Sequence, residues 1–451
     1  MELFGSSGTR GTVGEAMTPS LVLRVARAAG TVWGADRAAV ARDTRTSGEM
    51  LADAAASGLA SVGVDVARIG VAPTPSAAAF CEREGLPALV ITASHNPPEY
   101  NGVKLLGDDG VELTVDALER VERHVFDEPV TEATWEGVGD VRRVDDANRR
   151  YVAGLLDATD RERVAAADLT VAVDPGHGAG SVTSPEFFRR LGCRVVTTNA
   201  QPDGHFPGRD PEPVPENLAD LRRLVRAADA DVGVAHDGDA DRAVFVDERG
   251  SVIPGEASLA ALAAAELDAG DAVVAAVNAS QRLVDVVEAA DARLELTPIG
   301  ATNIVTRVRE LRAEGVDVPV AGEGNGGVFF PEYRLTRDGA YIAARFVELV
   351  ADRPASEVAA PHLDYHFVRR GVEYADEDER EALLAAAAEY AAAADVEPDT
   401  TDGYRLDFGD AWTLVRPSGT EPKVRVYAEA RDAERAAGLA DELVDALESA
   451  R

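Results

Sequence analysis

Cysteine is almost absent from this chain of 451 residues, in which only Cys81 and Cys193 occur. Two cysteines so far apart form neither the closely spaced pairs of a zinc site nor the framework of a disulfide-rich domain. No apolar run approaches the length of a membrane span, and residues 1–5 lack the basic and apolar segments of a secretory signal. These absences exclude disulfide-stapled and membrane-spanning classes, and we expect a protein of the reducing cytoplasm.

Lysine is also scarce, because Lys104 and Lys423 are the only two and arginine supplies the rest of the 45 basic residues. The chain has 80 acidic residues and a net charge of −35. Such a charge repels nucleic acids and anionic membranes, so we expect neither as a partner. It also destabilises a compact fold unless salt screens it, and at about 1 M salt the screening length falls to ~3 Å. The composition is typical of a halophile.

A recurring pattern organises most of the chain. An apolar strand, a polar turn, a helix and a second strand follow one another three times, starting near Ala38, Leu169 and Ala272. This order predicts parallel strands covered by helices. The last part differs, because three short strands from Tyr404 onward and a helix over residues 434–450 predict a small α+β domain.

The length of the chain predicts several domains rather than one core. Residues 128–146 are polar and lack periodicity, which favours a boundary near their end. We predict α/β domains I to III and an α+β domain IV, at residues 1–146, 147–250, 251–360 and 361–451.

The segment Thr-Ala-Ser-His-Asn-Pro-Pro at residues 92–98 follows an apolar run that ends at Ile91. Proline fixes φ and stiffens the turn, and α/β sheets bind ligands at the carboxyl ends of their strands. Ser94 is therefore displayed where a nucleophile could act, provided that a base or a metal activates it. His95 is its neighbour and Lys104 follows the loop. Ordinary turn chemistry explains this loop equally well when it is considered alone.

A second loop, Asp-Gly-Asp-Ala-Asp-Arg, places Asp237, Asp239 and Asp241 at every second position between two apolar segments. Carboxylates this close repel one another unless a cation is present, and hard oxygen ligands suit Mg²⁺. An EF-hand is an alternative, with Glu248 at its last ligand position. However, Arg242 stands where that loop needs glycine, and strands flank it. A solvated acidic turn is the other alternative.

Three more loops have the composition of anion or sugar sites. Glu323 and Asn325, in Gly-Glu-Gly-Asn-Gly-Gly, offer a carboxylate and an amide to sugar hydroxyls. Residues 416–423, Arg-Pro-Ser-Gly-Thr-Glu-Pro-Lys, combine a guanidinium, two hydroxyls and an ammonium and suit a phosphate. Arg10 ends a Gly- and Ser-rich opening segment that could also contact an anion. The structural alternatives are a flexible turn for the Glu323 loop, a hairpin turn with incidental charges for residues 416–423, and a flexible N-terminus for the Arg10 segment.

In combination these motifs resemble the α-D-phosphohexomutase family, which contains phosphoglucomutases, phosphomannomutases and phosphoglucosamine mutases. The resemblance rests on four segments in family order, which span nearly the whole chain: Thr92 to Pro98, Asp237 to Arg242, the loop at Gly322, and Arg416 to Pro422. It implies an α/β fold of three related α/β domains with mixed sheets, plus a smaller C-terminal α+β domain around a central cleft.

The resemblance implies an isomerase that interconverts hexose 6-phosphate and hexose 1-phosphate through a phosphoserine at Ser94 and a hexose 1,6-bisphosphate. One Mg²⁺ is implied, with Ser94 and the three loop aspartates, Asp237, Asp239 and Asp241, as ligands. The residues implied near the transferring group are Ser94, His95, Lys104 and Arg10. The residues implied to bind substrate are Arg242, Glu323, Asn325, Arg416, Ser418, Gly419 and Thr420. The partner is a small sugar phosphate, and the protein is expected to be a monomer or homodimer.

The sequence departs from the family pattern in two places. Many members have Gly-Glu-x-Ser-Gly-His, where this chain has Asn325 and Gly327, so the acid/base role stays open among His95, Lys104 and Arg10. A basic residue common in relatives is absent from residues 300–303.

The glycine-rich form of that loop resembles archaeal members, which favours phosphoglucosamine mutase over phosphomannomutase/phosphoglucomutase. Two alternatives belong to other classes. One is a catalytically silent relative that binds sugar phosphates. The other is a serine hydrolase that uses Ser94 and His95, although the chain lacks a Gly-x-Ser-x-Gly elbow around this serine.

Overall fold

The computed structural model describes residues 3–5, 8–418 and 422–450 and divides the chain into two compact units. The first unit is Met1–Ser258 with Asn325–Val358, and the second is Leu259–Gly324 with Ala359–Arg451. Within the described ranges, no helix combines the length and apolar character that crossing a membrane requires.

The described strands, in chain order, are β1 (Thr9–Thr12), β2 (Arg37–Arg42), β3 (Asp65–Val71), β4 (Ala88–Ile91), β5 (Tyr100–Leu106), β6 (Val141–Arg143), β7 (Thr170–Asp174), β8 (Arg194–Thr197), β9 (Val232–Ala235), β10 (Val244–Asp247), β11 (Val252–Ile253), β12 (Ala272–Ala276), β13 (Arg293–Thr297), β14 (Val320–Glu323), β15 (Gly327–Phe329), β16 (His366–Glu373), β17 (Tyr404–Asp407), β18 (Ala411–Pro417) and β19 (Lys423–Ala430). The described α-helices are α1 (Pro19–Trp33), α2 (Gly48–Ser61), α3 (Thr74–Glu84), α4 (Val115–Phe126), α5 (Ala147–Asp157), α6 (Arg161–Ala166), α7 (Ser184–Leu191), α8 (Ala219–Ala227), α9 (Gly255–Glu266), α10 (Gln281–Ala289), α11 (Ala301–Ala313), α12 (Gly339–Val350), α13 (Ala355–Ala359), α14 (Glu377–Ala392) and α15 (Ala433–Glu448).

Local sequence signals fix the ends of the first helix. The Thr18 hydroxyl accepts a hydrogen bond from the Leu21 amide at 3.2 Å, and Pro19 occupies the first helical position. Proline is tolerated there because its missing N–H has no partner within the helix. Gly34 ends α1 in the left-handed region, at φ 58°, which glycine adopts without steric cost.

The first sheet of the first unit has the strand order β1-β5-β4-β2-β3-β6. Strand β2 pairs in parallel with β3 and β4, whereas β5 runs antiparallel to both β4 and β1. Apolar side chains are buried on both faces of β4: Leu89 and Ile91 join the core formed with α1 and α2, and Val90 joins the core formed with α3. The mixed pairing predicted for domain I is confirmed.

The second sheet has the order β11-β10-β9-β7-β8, with β7, β8 and β9 parallel and β10 antiparallel to β9. Helix α8 covers it with Leu221 and Val225. Helix α12 also contributes, because the rings of Phe346 and Phe245 stack with centroids 4.0 Å apart. The end of β9 and the acidic loop that follows it therefore lie at the edge of the sheet where the parallel strands end. Ligands of α/β sheets bind at this edge.

In the second unit, β12 pairs in parallel with β13 and β14. A separate antiparallel sheet has the order β16-β19-β18-β17 and packs on α14 and α15 through Leu383, Val426 and Leu443. Trp412 is buried in another cluster of this unit. The predicted small C-terminal α+β domain is confirmed. The three short strands predicted from Tyr404 onward are present as β17 to β19, whereas β16 was not predicted.

Candidate active site

The turn after β4 holds Ser94 in an unusual backbone conformation. Ser94 has φ 50°, in the left-handed region, where a residue with a side chain pays about 1 kcal/mol or more. Its amide donates to Thr92 Oγ1 at 2.9 Å, and the Asn96 amide closes the turn onto the Ala93 carbonyl at 3.0 Å. Ser94 is 1 % exposed. The stiff loop predicted from the two prolines thus presents its hydroxyl into the protein.

The acidic loop lies between β9 and β10 and is folded on itself. The Arg242 amide donates to Asp237 Oδ1 at 3.3 Å, and the Ala240 amide donates to the Asp237 carbonyl at 3.1 Å. Gly238 passes so close to the serine turn that a Cβ there would lie 2.5 Å from the Ser94 carbonyl oxygen. Only glycine permits that approach, so the sequence Asp-Gly-Asp is required by packing as well as by charge.

These two loops meet at their functional groups. Ser94 Oγ donates a hydrogen bond to Asp237 Oδ2 at 2.6 Å, and both residues are buried. The carboxylates of Asp237, Asp239 and Asp241 each offer an oxygen within 4.8 Å of the others. The structure therefore brings the predicted nucleophile and the predicted metal ligands into one cluster.

The donor set fits a hard divalent cation. Asp239 Oδ1 and Asp241 Oδ1 are buried and have no hydrogen-bond partner among the residues that the structure describes. A buried carboxylate oxygen without a partner is costly, and oxygen ligands at this density are those that Mg²⁺ uses. The other oxygen of Asp239 accepts from Thr74 Oγ1 at 2.6 Å, which holds the carboxylate in a fixed orientation.

Two buried cations lie next to Asp239 and Asp241 and offset their negative charge. Lys104 Nζ, on β5, lies 2.9 Å from Asp239 Oδ2 and 2.9 Å from Asp241 Oδ2. Arg337 Nη2 lies 2.8 Å from Asp241 Oδ2. Lys104 and Arg337 are both buried, so their charges act in a medium of low dielectric constant.

The pKa values of the three carboxyl groups shift in opposite directions from the usual value of an aspartate. Burial, together with the charges of Asp241 and Asp239, raises the pKa of Asp237 to about 7. Burial also opposes ionisation of Asp239 and Asp241, but the surrounding cations and hydrogen-bond donors together lower both pKa values below the usual range, with Lys104 the strongest of them at Asp239 and Arg337 the strongest at Asp241. The two aspartates in turn raise the pKa of Lys104 despite its burial. Lys104 is therefore a permanent cation of this cluster.

His95 is held neutral beside the serine. Burial and the charge of Arg242 lower the pKa of His95 to about 2. Its Nδ1 lies 3.1 Å from Arg242 Nη2 and 3.4 Å from Ser94 Oγ, so the guanidinium is the closer donor. Arg10, on β1, donates to Asn96 Oδ1 at 3.2 Å, and burial lowers its pKa. Of the four residues predicted near the transferring group, Ser94, His95 and Arg10 thus meet at one turn, and Lys104 lies at the aspartate cluster that Ser94 contacts.

The remaining predicted residues are divided between the units. Asn325 belongs to the first unit, where its side chain accepts from the Gly327 amide at 3.0 Å. Glu323 ends β14 in the second unit. Arg416 and Ser418 also belong to the second unit, where Arg425 Nε donates to Ser418 Oγ at 3.1 Å and Arg416 Nε lies 3.1 Å from Asp402 Oδ2. The predicted residues Gly419 and Thr420 lie outside the described residues.

Sequence reasoning missed Arg337 and Thr74, which contact the aspartates directly. Thr74 stands between two prolines at the end of β3, and that stiff polar turn after a strand was a usable signal. Arg337 precedes α12 in Thr-Arg-Asp-Gly, which differs in no way from an ordinary helix start. Only the packing of α12 beside the second sheet places this guanidinium at the cluster.

Family models match four consecutive segments of the chain. They are described as phosphoglucomutase/phosphomannomutase domain I at residues 1–131, domain II at 149–250, domain III at 254–365 and the C-terminal domain at 372–446. The chain belongs to this family, the α-D-phosphohexomutases. Members of the family are isomerases, and the chain is an enzyme of that class. The family is generally metal-dependent, which agrees with the buried acidic cluster.

Individual relatives cover almost the whole chain. A protein of Thermococcus kodakarensis named "Phosphoglucomutase/phosphomannomutase" is 41 % identical, covering 96 % of this chain and 96 % of its own. A protein of Methanopyrus kandleri named "Probable phosphoglucosamine mutase" is also 41 % identical, covering 98 % and 97 %. The crystal structure of a family protein from Burkholderia thailandensis superposes with a TM-score of 0.85 at 28 % identity, covering 99 % of this chain and 97 % of that one.

Proposed function

We propose that this phosphohexomutase interconverts hexose 6-phosphate and hexose 1-phosphate through a phosphoserine at Ser94, with Mg²⁺ as its metal. The observation that supports the proposal most is the 2.6 Å hydrogen bond from Ser94 Oγ to Asp237 within a buried acidic cluster. Phosphoryl transfer depends on positioning and on neutralising charge, and this cluster supplies both a fixed hydroxyl and a place for a cation.

In the proposed cycle the phosphoryl group passes from Ser94 Oγ to the free hydroxyl of a hexose phosphate. The bond from phosphorus to the serine oxygen breaks, a bond to the sugar oxygen forms, and the hydroxyl proton ends on Ser94. The resulting hexose 1,6-bisphosphate returns its other phosphoryl group to Ser94 by the reverse step. Mg²⁺ bound by the three loop aspartates and a phosphoserine oxygen would supply charge neutralisation at the transferring group.

Side-chain cations of the first unit do the remaining electrostatic work in this proposal. A phosphoserine adds about −1.5 to −2 charges, which buried carboxylates alone would repel. Lys104, Arg337 and Arg242 lie at the aspartates or at His95 and offset that charge. We assign His95 the role of orienting Arg242, because its Nδ1 is engaged with that guanidinium and its pKa is about 2. This geometry does not favour a serine hydrolase that uses His95 as its base.

We assign the other end of the substrate to the loops with sugar-binding and phosphate-binding composition. Glu323 and Asn325 are proposed to contact sugar hydroxyls, since a carboxylate accepts and an amide both donates and accepts. Arg416 and Ser418, with Gly419 and Thr420, are proposed to bind the phosphate that is not being transferred. Two separate anion sites are needed because the bisphosphate must present each end to Ser94 in turn.

For the sugar, phosphoglucosamine mutase is our first choice and phosphomannomutase/phosphoglucomutase the alternative. The relatives carry both kinds of name at the same identity, 41 %. Turnover of glucosamine 1-phosphate, mannose 1-phosphate and glucose 1-phosphate by one purified sample distinguishes the two. Binding of these compounds without turnover of any would instead indicate a catalytically silent relative.

The nucleophile is tested by Ser94→Ala, with Ser449→Ala at an exposed helix end as the control. We expect Ser94→Ala to abolish turnover while binding of glucose 1,6-bisphosphate is retained, and Ser449→Ala to keep both. Undiminished turnover in Ser94→Ala would refute the assignment. Treatment of the unsubstituted protein with EDTA separates the reaction classes, because a mutase that needs its metal loses activity and a serine hydrolase keeps it.

A further inference from the structure

We propose that Arg45, together with Asp43 and Thr92, positions the backbone of the Ser94 turn for phosphoryl transfer. The hydrogen bonds of these three side chains run to one another and to the serine loop, so we assign them a positioning role that acts through Ser94. The proposal deepens the function proposed above and rests on it. We refer to these three side chains as the Arg45 network.

Arg45 lies in the polar turn after β2, and its side chain is completely buried. Its guanidinium directs all five of its N–H groups at fixed acceptors, and one of these, Nε, donates to Asp43 Oδ2 at 3.1 Å. The other four meet backbone carbonyl oxygens of the serine loop: Pro97 at 2.5 Å, Tyr100 at 3.0 Å, Ser94 at 2.9 Å and Asn96 at 2.6 Å. One side chain thus fixes four peptide groups of the loop.

Asp43 extends the same restraint to the other side of Ser94. It accepts from Thr92 Oγ1 at 2.7 Å, and Thr92 Oγ1 accepts from the Ser94 amide at 2.9 Å. The amide of Ser94 is therefore held through Thr92 and its carbonyl is held by Arg45. Restraint on both sides is what a residue at φ 50° requires, because the free chain would relax to a more favourable conformation.

The long loop of residues 199–216 packs over the Arg45 network and keeps water away from it. The Phe206 ring lies 5.2 Å from the Arg45 guanidinium carbon, and a Cβ at Gly204 would lie 2.4 Å from the Thr44 carbonyl oxygen. In a dry site a fork of five donors cannot be replaced by an ammonium with three, since carbonyl oxygens would be left without partners. Arg45→Lys therefore preserves the positive charge but cannot make the same five hydrogen bonds.

The second unit contains a matched control. Arg282 is also buried, pairs with Glu429, and donates to the carbonyl oxygens of His362, at 2.7 Å, and Tyr365. Arg282→Lys removes the same kind of contacts from a loop in which no catalytic residue is assigned. Its effect on folding calibrates the purely structural cost of such a substitution.

The test compares full-length Arg45→Lys and Arg282→Lys by kinetics and by hydrogen exchange of the backbone amides in residues 92–101. We expect Arg45→Lys to lower kcat about 100-fold with little change in KM, because misplacing the nucleophile affects the transition state and not substrate binding. Exchange in residues 92–101 should accelerate in Arg45→Lys and stay unchanged in Arg282→Lys. A kcat no lower than that of the control, or unchanged exchange, would overturn the proposal.

If Arg45→Lys does not fold, turnover of the two variants Thr92→Val and Thr92→Ser tests the proposal instead. The valine variant loses the hydroxyl that accepts from the Ser94 amide, and the serine variant keeps it, so only the former should lose turnover. Equal turnover in both would again overturn the proposal. Failure of the proposed function would be seen separately, as absence of mutase turnover in the unsubstituted protein, and the exchange comparison would still decide whether Arg45 holds the loop.

Discussion

Ser94 Oγ and Asp237 Oδ2 lie 2.6 Å apart although 143 residues separate them in the chain. The hydroxyl is at the carboxyl end of β4 in one sheet, and the carboxylate is at the carboxyl end of β9 in another. Both sheets belong to the first unit, so the proposed nucleophile and the carboxylates proposed to bind the cation lie within that unit. This contact joins the serine that we propose to be phosphorylated to the acidic cluster.

Gly238→Ala tests that contact by forcing the two loops apart. A Cβ at Gly238 would lie 2.5 Å from the Ser94 carbonyl oxygen, whereas a Cβ at Gly154, inside α5, meets no atom of the described part of the chain within 4 Å. We expect Gly238→Ala to lower kcat about 100-fold through displacement of the serine turn. Gly154→Ala should retain wild-type kcat. Equal activity of the two variants would show that the spacing of the loops is unimportant.

Thr74 is expected to orient Asp239, a proposed metal ligand, without binding the metal itself. Its hydroxyl donates to Asp239 Oδ2 at 2.6 Å. Removing such a supporting hydrogen bond typically weakens metal binding by about 10- to 100-fold. We expect that loss in Thr74→Val, measured by calorimetric titration with Mn²⁺ or Mg²⁺, and near-normal affinity in Thr74→Ser, which retains the hydroxyl. Unchanged affinity in the valine variant would contradict this role.

Lys104 is expected to stabilise the fold as well as the reaction. Lys104→Met leaves Asp239 and Asp241 buried with a cation missing, and breaking a buried ion pair on one side costs about 3–5 kcal/mol. Urea unfolding in the absence of divalent cations measures the loss. Lys423→Met is the control, and it should cost less because Lys423 is only half-buried whereas Lys104 is fully buried. Similar free energies of unfolding for the two variants would refute the assignment.

Both thiols should be inert in the folded protein. Cys81 and Cys193 are free and buried, and burial raises the pKa of Cys193 to about 12 and that of Cys81 further. A raised pKa means less thiolate at pH 8, and the thiolate is the reactive form. We expect a disulfide reagent such as DTNB to react only as the protein unfolds. Fast reaction of either thiol with the native enzyme would be inconsistent with this burial.

The net charge of −35 predicts that salt stabilises the protein. Screening shortens from about 10 Å at 0.1 M to about 3 Å at 1 M ionic strength, which weakens repulsion between the acidic side chains. We expect Tm and the free energy of unfolding to rise with KCl concentration over this range. A Tm that stays constant or falls would show that the surface is not adapted to high salt.

The sequence predicted the parts of this molecule that depend on local patterns. Strand β4 was visible as an apolar run, Ser94 as a polar residue after it, and the aspartates as an alternating series, because each signal occupies a few consecutive residues. Strand β16 was missed because most of its residues are exposed, so its sequence lacks the regular alternation of apolar and polar residues that indicates a strand. Its identity as a strand comes from eight paired positions with β19, from His366 to Glu373, which no local pattern records.

Contacts between distant segments could not be predicted from the residues themselves. The pairing of Arg337 with Asp241 depends on α12 packing beside the second sheet, and that of Thr74 with Asp239 depends on two loops meeting. The role of Arg45 was hidden for the same reason, since its polar turn looks like any turn after a strand. Only tertiary packing determines which of many arginines becomes buried and what it then binds.

The most direct test of the account is to identify which residue carries the phosphoryl group. The unsubstituted protein and Ser94→Ala would be incubated with glucose 1,6-bisphosphate and Mg²⁺, and their peptides analysed by mass spectrometry. The account predicts one phosphoryl group on Ser94 in the unsubstituted protein, its loss on addition of a reactive hexose phosphate, and no phosphorylation of the variant. A phosphoryl group on another residue, or turnover by a protein that is never phosphorylated at Ser94, would contradict it.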